Sequence, residues 1–196
     1  DAELRRRFEE SRADLAQIGK NQVVKQLLAE LDLASVNDLC GTGLTDLYAI
    51  GSDGLIAHWD GATWNVPEPI TSAELLHASR TDSGELFLVG TEATILMGQI
   101  NTGFTPIRHQ ISPEVPFYCA CMYGQAIYIG SENGLYLYSP NSGVVERLEA
   151  GIPEELMDAA INDISSADGV LWVLTPWDLI RFDGTAWQVI VHPDNE

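Results

Sequence analysis

Asp38, His77, Cys119 and Asp163 are donor types that a transition metal accepts, and they fall at one position of a pattern that the chain repeats four times. Two residues further on stand Cys40, Ser79, Cys121 and Ser165. If the four repeats surround a common axis, the first set forms a ring of carboxylate, imidazole and thiolate. A plainer role competes with the metal. Asn37-Asp38 and Asn162-Asp163 read as side chains that fix strand-end backbone groups, and thiols in such places pack as small apolar residues. No metal and no cofactor is therefore expected.

Other chemistry fails on spacing. The chain has no Gly-x-Ser-x-Gly elbow, no His-Glu-x-x-His helix, no phosphate loop and no EF-hand loop. Gly41-x-Gly43 lacks a third glycine and opens onto a strand, so it reads as a turn. His58, His77, His109 and His192 sit in unrelated segments without a nucleophile beside them. An enzyme is not expected.

The elements that must position these residues are short strands. From Ser35 onward the apolar period is two. In the first unit the strands read as Val36–Cys40, Leu47–Ile50, Leu55–Trp59 and Thr63–Val66. The second strands align as Asp46-Leu47-Tyr48-Ala49-Ile50-Gly51, Glu85-Leu86-Phe87-Leu88-Val89-Gly90, Ala126-Ile127-Tyr128-Ile129-Gly130 and Val170-Leu171-Trp172-Val173-Leu174. Their aromatics recur at 39, 41 and 44 residues. A period near forty signals stacked supersecondary units. Asp60-Gly61 and Asp183-Gly184 supply hairpin turns, as do Asp53-Gly54 and Asn133-Gly134, because glycine takes positive φ without penalty. Residues 1–34 break the pattern and read as helix: Leu4, Phe8, Leu15 and Ile18 lie on one face. After Gly19 a second apolar face follows at Val23, Val24, Leu27, Leu28 and Leu31.

Leu179-Ile180-Arg181-Phe182-Asp183-Gly184-Thr185-Ala186-Trp187 closely matches residues 55–64. With the four-strand units, this ending resembles β-propeller repeat families, nearest the bacterial "dG..W" repeats of two-component regulator propellers. The likeness covers residues 35–192. The Gly-Gly pair of kelch blades and the Trp-Asp ending of WD40 blades are missing, and residues 60–64 are one residue short of a sialidase Asp-box. No family active site is carried over. The resemblance implies an all-β, propeller-like array of about four four-stranded blades, at 35–73, 74–115, 116–159 and 160–192, after an N-terminal α-helical segment. Four blades could close on themselves or form part of a larger ring. First strands would line the central channel, with Asp38, His77, Cys119 and Asp163 around it.

On that architecture the loops between second and third strands share one face with the blade-to-blade connections. The former carry Asp53, Glu92, Glu132 and Asp178. The latter add Glu68, Glu74, Glu114, Glu149, Glu154, Glu155 and Asp158, with Arg108 as the main cation. Aspartate suits turns, but glutamate does not, so turn chemistry leaves Glu92, Glu132 and Glu154-Glu155 unexplained. Trp177, in Thr175-Pro176-Trp177-Asp178, either anchors a cationic side chain or folds inward over the strand ends. Met157, on an expected short helix over Ile152–Ala160, reads as packing. The partner-binding candidates are Asp53, Glu92, Glu132, Asp178, Trp177, Glu154 and Glu155.

Charge narrows the partner. Residues 35–196 contain four arginines, no lysine and 22 acids, a net of −18. Such a surface repels nucleic acid and anionic lipid and attracts a basic protein. The expected function is stoichiometric binding of that partner, in the manner of an immunity or inhibitor protein that covers a toxin or nuclease. The alternative is a small-ligand or glycan-binding, lectin-like sensor with a pocket per blade; a channel-metal enzyme ranks below both. Three cysteines within apolar strands suit a reducing, cytoplasmic setting, with a bridge to Cys40 left open. A sequence that opens on Asp1 leaves room for a removed targeting segment.

Overall fold

The computed structural model describes residues 35–191. The helical segment expected over 1–34 and His192 lie outside the described residues. Four antiparallel sheets of four strands follow one another along the chain, each a meander in sequence order. The first blade is β1 (Val36–Gly43), β2 (Asp46–Gly51), β3 (Ile56–Trp59) and β4 (Trp64–Asn65). The second is β5 (Leu75–Arg80), β6 (Leu86–Gly90), β7 (Ile95–Gln99) and β8 (Gly103–Pro106). The third is β9 (Phe117–Tyr123), β10 (Ala126–Ser131), β11 (Gly134–Ser139) and β12 (Val144–Arg147). The fourth is β13 (Asp163–Ala167), β14 (Val170–Leu174), β15 (Leu179–Phe182) and β16 (Trp187–Ile190).

Local chemistry makes the hairpins. Asp60 Oδ1 accepts the backbone N–H groups of Ala62 and Thr63 at 2.8 Å each, and Asp183 Oδ1 accepts those of Thr185 and Ala186 at 2.9 Å. An Asx-type turn of this kind satisfies the donors that a tight reversal would leave unpaired.

Packing between blades supplies the core. Tyr48, Ile50 and Ile56 of the first blade meet Leu75, Ala78, Leu86, Leu88 and Leu96 of the second. Phe87, Val89 and Ile95 meet Phe117, Ala120, Ile127 and Ile129 of the third. Cys119 and Leu135 meet Ile164, Leu171, Val173 and Ile180 of the fourth. Each full burial of a Leu, Ile, Val or Phe contributes about 1.5–3 kcal/mol. In the first two junctions the sheet face bearing the repeated aromatic is the one that the next blade covers, which is why Tyr48 and Phe87 are buried.

Among the described residues the fourth blade has no such cover. Leu174 pairs with Leu179 in the register where Ile50 pairs with Ile56 and Val89 with Ile95. The two earlier pairs are at most 4% exposed, whereas Leu174 is 43% and Leu179 39% exposed. Inner strands pack in the sequence β1–β5, β5–β9 and β9–β13, and among the described residues β13 has no comparable packing on β1. Among the described residues the fourth blade and the first form no junction like the other three.

Candidate functional site

The loops between second and third strands are tied to the blade-to-blade connections. In the first blade Asp53 (φ 54°) and Gly54 (φ 69°) are both left-handed, and the Gly54 N–H donates to the Ala73 carbonyl at 2.9 Å. A Cβ on Gly54 would stand 2.0 Å from the Thr71 carbonyl oxygen, so glycine is required there. Glu92 (φ 57°) and Ala93 (φ 52°) repeat the conformation in the second blade without glycine. Left-handed backbone costs a non-glycine residue roughly 1–2 kcal/mol. The neighbouring connection holds it: the Ala93 N–H donates to the Val115 carbonyl at 2.9 Å, and His109 Nε2 lies 2.8 Å from the Ala93 carbonyl. Asp53 and Glu92 are thereby presented on fixed, solvent-facing backbone.

The third and fourth blades use hydroxyls instead. Ser131 is fully buried, its Oγ 2.8 Å from the Gly134 carbonyl, and its own carbonyl accepts the Ile161 N–H at 2.8 Å. Glu132 follows it into solvent. Thr175, 3% exposed, accepts the N–H groups of Trp177 at 3.2 Å and Asp178 at 2.8 Å on Oγ1. That turn leaves Trp177 82% exposed rather than folded over the strand ends. Asp178 is half-buried. Glu154 and Glu155 are exposed on a three-residue 3-10 turn, Glu154–Leu156, in place of the longer helix expected. Leu156 provides the packing there, and Met157 is 48% exposed, contrary to its reading as a packing residue. The connection also holds a cation besides Arg108, the one expected on this face: Arg147, at the end of β12, bonds Asp158 and lies 3.8 Å from Glu149.

The inner ring has a different use from the one its donor types suggest. Register confirms the alignment, with Asp38, His77, Cys119 and Asp163 opposite Ile50, Val89, Gly130 and Leu174. Asp38 Oδ2 accepts the Ala78 N–H of the second blade at 2.9 Å, and His77 Nδ1 accepts the Ala120 N–H of the third at 3.2 Å. Cys119 is 2% exposed, with Sγ 4.0 Å from the Ile161 carbonyl, and burial pushes its thiol up to about 12. Asp163 Oδ1 accepts the Ile164 N–H at 2.8 Å. Asp38 and His77 lie 4.0 Å apart. Among the described residues no three His, Cys, Asp or Glu side chains converge as a metal set. These side chains bond backbone, mostly that of the following blade. Cys40, Cys119 and Cys121 are all free thiols.

Sequence reasoning missed one polar cluster at the other end of the blades. Arg80, the last residue of β5, donates to Asp46 Oδ2 at 2.6 Å and to the Gly84 carbonyl at 3.1 Å, with its guanidinium 5.7 Å from the Tyr48 ring centroid. Asp46 also lies 3.0 Å from His58 Nε2 and accepts the Thr42 hydroxyl at 2.7 Å. Burial raises the Asp46 carboxyl, and the bonds from Thr42 and His58 with the Arg80 charge outweigh it, leaving the group below its usual range. Arg80, Asp46 and Tyr48 come from two different repeats, so no single motif announced them.

Solved structures of similar fold include a β-propeller. The chain superposes on the WD40 β-propeller domain of Doa1 with a TM-score of 0.61, at 14% identity, over 82% of this chain and 52% of that one. It superposes with a TM-score of 0.60 on an extracellular domain described as that of a hybrid two-component system from B. thetaiotaomicron, at 17% identity, over 82% of this chain and 22% of that one. The fold is thus a propeller-like repeat array, with no particular repeat type distinguished. No protein-family model matches the sequence. Among curated proteins it is 27% identical to Immune protein Tsi7 of Pseudomonas aeruginosa over 150 residues, 76% of this chain. The chain spans about half of that relative, 47% of its length. Among the described residues no helix is long and apolar enough to cross a membrane.

Proposed function

We propose that this chain is a non-catalytic, protein-binding propeller domain that engages a basic protein partner through its acidic loop face, as an immunity protein does when it covers a toxin or nuclease. The observation that carries this reading is the pair Asp53 and Glu92, each exposed on left-handed backbone held by the neighbouring connection. Strain retained at an exposed charged loop is a mark of a recognition element, because packing alone would favour glycine there. Glu132, Glu154 and Glu155 extend the acidic surface, and exposed Trp177 adds an aromatic anchor beside Asp178. The likeness to a protein named for immunity supports the same reading. Fixed carboxylates on a domain of net −18 steer a basic partner and speed encounter. Three free thiols fit a cytoplasmic setting.

The test is binding to the purified proteins encoded beside this one, measured against salt. Association is expected to slow steeply as salt rises, and reversal of Glu92, Glu132 and Asp178 to Lys together is expected to weaken binding at least a hundredfold. Binding that survives 1 M salt unchanged, or that the triple reversal leaves intact, sinks the proposal.

A further inference from the structure

The three blade-to-blade connections treat their apolar residues differently. In the second connection (107–116), Ile107, Ile111 and Val115 pack against the core between the second and third blades. In the third (148–162), Leu148, Ile152, Leu156 and Ile161 pack against the core that follows. The first (66–74) is the shortest, and neither of its large aliphatic side chains joins the core that it spans. Val66 is 44% and Ile70 46% exposed. Pro67 and Pro69 fix φ and lack backbone donors, which favours an extended span over a turn into the core.

What the first connection leaves open is a cavity of about 150 Å³ between the first and second blades. Buried Ile56 lines it from the first blade, and half-buried Ile100 and Phe104 line it from the second. Those two already pack on the core of this junction, so the walls are fixed. The connection contributes Pro67, Ile70 and the exposed carboxylate of Glu68. Gly54 lines the cavity too, directly after exposed Asp53. Ile70 also lines a second groove, of about 390 Å³, that holds Glu92 and Arg108. The apolar cavity therefore neighbours both of the carboxylates carried on left-handed backbone, and has a third in its own lining.

We propose that this cavity seats a phenylalanine side chain of the basic protein partner, with a cationic residue beside it in the partner's sequence paired to Glu68. The inference deepens the acidic-face reading and rests on it for the partner's charge. An apolar cavity of about 150 Å³ lined by Leu, Ile and Phe takes a benzene ring. The Phe104 ring adds an aromatic contact that an aliphatic side chain does not make. Arg108 shares the second groove with Glu92, which leaves Glu68 and Asp53 as the carboxylates for a cation at the cavity itself. Surface carboxylates steer a basic partner and set its approach, whereas a buried anchor in a preformed pocket carries affinity.

The test titrates acetyl-Lys-Phe-Lys-amide and acetyl-Lys-Ala-Lys-amide into the full chain at about 0.15 M salt, followed by nuclear magnetic resonance. The phenylalanine peptide is expected to bind saturably, about tenfold tighter or more, and to shift the amides of Gly54, Ile56 and Ile100. Ile100→Phe, which fills the cavity from within, is expected to erase that preference. Ile70→Ser, at an exposed wall, is expected to reduce it about threefold and decides the matter if Ile100→Phe does not fold. Glu68→Gln is expected to weaken both peptides equally, about twofold, and to keep the preference. Absence of saturable binding, equal binding of the two peptides, or an undiminished preference in Ile70→Ser overturns the assignment. A phenylalanine preference that behaves as expected, in a protein whose partner binding ignores the reversal of Glu92, Glu132 and Asp178, upholds the cavity and sinks the acidic face alone.

Discussion

Asp38 in the first blade accepts the backbone N–H of Ala78 in the second at 2.9 Å, while its other oxygen accepts that of Leu39 at 2.7 Å. One carboxylate thus satisfies donors on both sides of a junction. Asp38→Ala leaves both without that partner, at a cost of about 1–3 kcal/mol. Asp38→Asn keeps one acceptor and is expected to lose less than half as much. Urea unfolding of the three proteins checks the order; equal stability of all three removes Asp38 from the junction's energetics.

The left-handed loop pair predicts opposite tolerances at two equivalent positions. Gly54→Ala meets both positive φ and the Thr71 carbonyl, and is expected to cost about 2 kcal/mol or more. Ala93→Gly relieves strain but loses a buried methyl and raises chain entropy when unfolded, so the terms nearly cancel. A change within about 0.5 kcal/mol is expected, against about 1–2 kcal/mol for Ala120→Gly in strand β9. Chemical denaturation of the three variants measures the contrast.

Asp183 is the clearest source of acid sensitivity. The Thr185 hydroxyl, then the N–H groups of Ala186 and Thr185, hold its carboxyl down at about 2. A folded value below the unfolded one, about 3.9, stabilises the protein above that pH. The contribution is lost as pH falls from about 4 toward 2. Asp183→Asn is therefore expected to be less stable than the parent at neutral pH and to converge with it near pH 2. A constant difference across that window contradicts the assignment.

The uncovered face of the fourth blade predicts a gradient along the repeat. Val89→Ala, at a fully buried site, is expected to cost about 1–2.5 kcal/mol. Leu174→Ala removes a larger side chain at the equivalent position, yet at 43% exposure it is expected to cost under about 1 kcal/mol. If Leu174→Ala proves the more damaging, this face is covered in solution.

Much of the fold was legible because its causes are local. Tyr48, Phe87, Tyr128 and Trp172 mark the second strands, and alternation about them delimits the sheets. The Asp60 and Asp183 turns were readable for the same reason: their hydrogen bonds span two or three residues. The loop acids could be placed on one face once the strand order was known. Met157 was misread because an apolar residue beside Leu156 does not reveal which of the two turns inward. Trp177 remained ambiguous because the Thr175 hydroxyl that sets its direction could have bonded elsewhere.

By itself the sequence determined four blades, their register and the sign of their surface charge. Those follow from periodicity, turn chemistry and residue counts, each a property of neighbouring residues or of the whole sum. Tertiary structure alone decided that Asp38 and His77 clip one blade to the next, that Leu174 and Leu179 face outward, and that Tyr123 bonds the Gly169 carbonyl at the last junction as Arg80 bonds that of Gly84 at the first. Each depends on which residue some forty positions away stands opposite, and on how neighbouring blades meet. Side-chain identity carries neither.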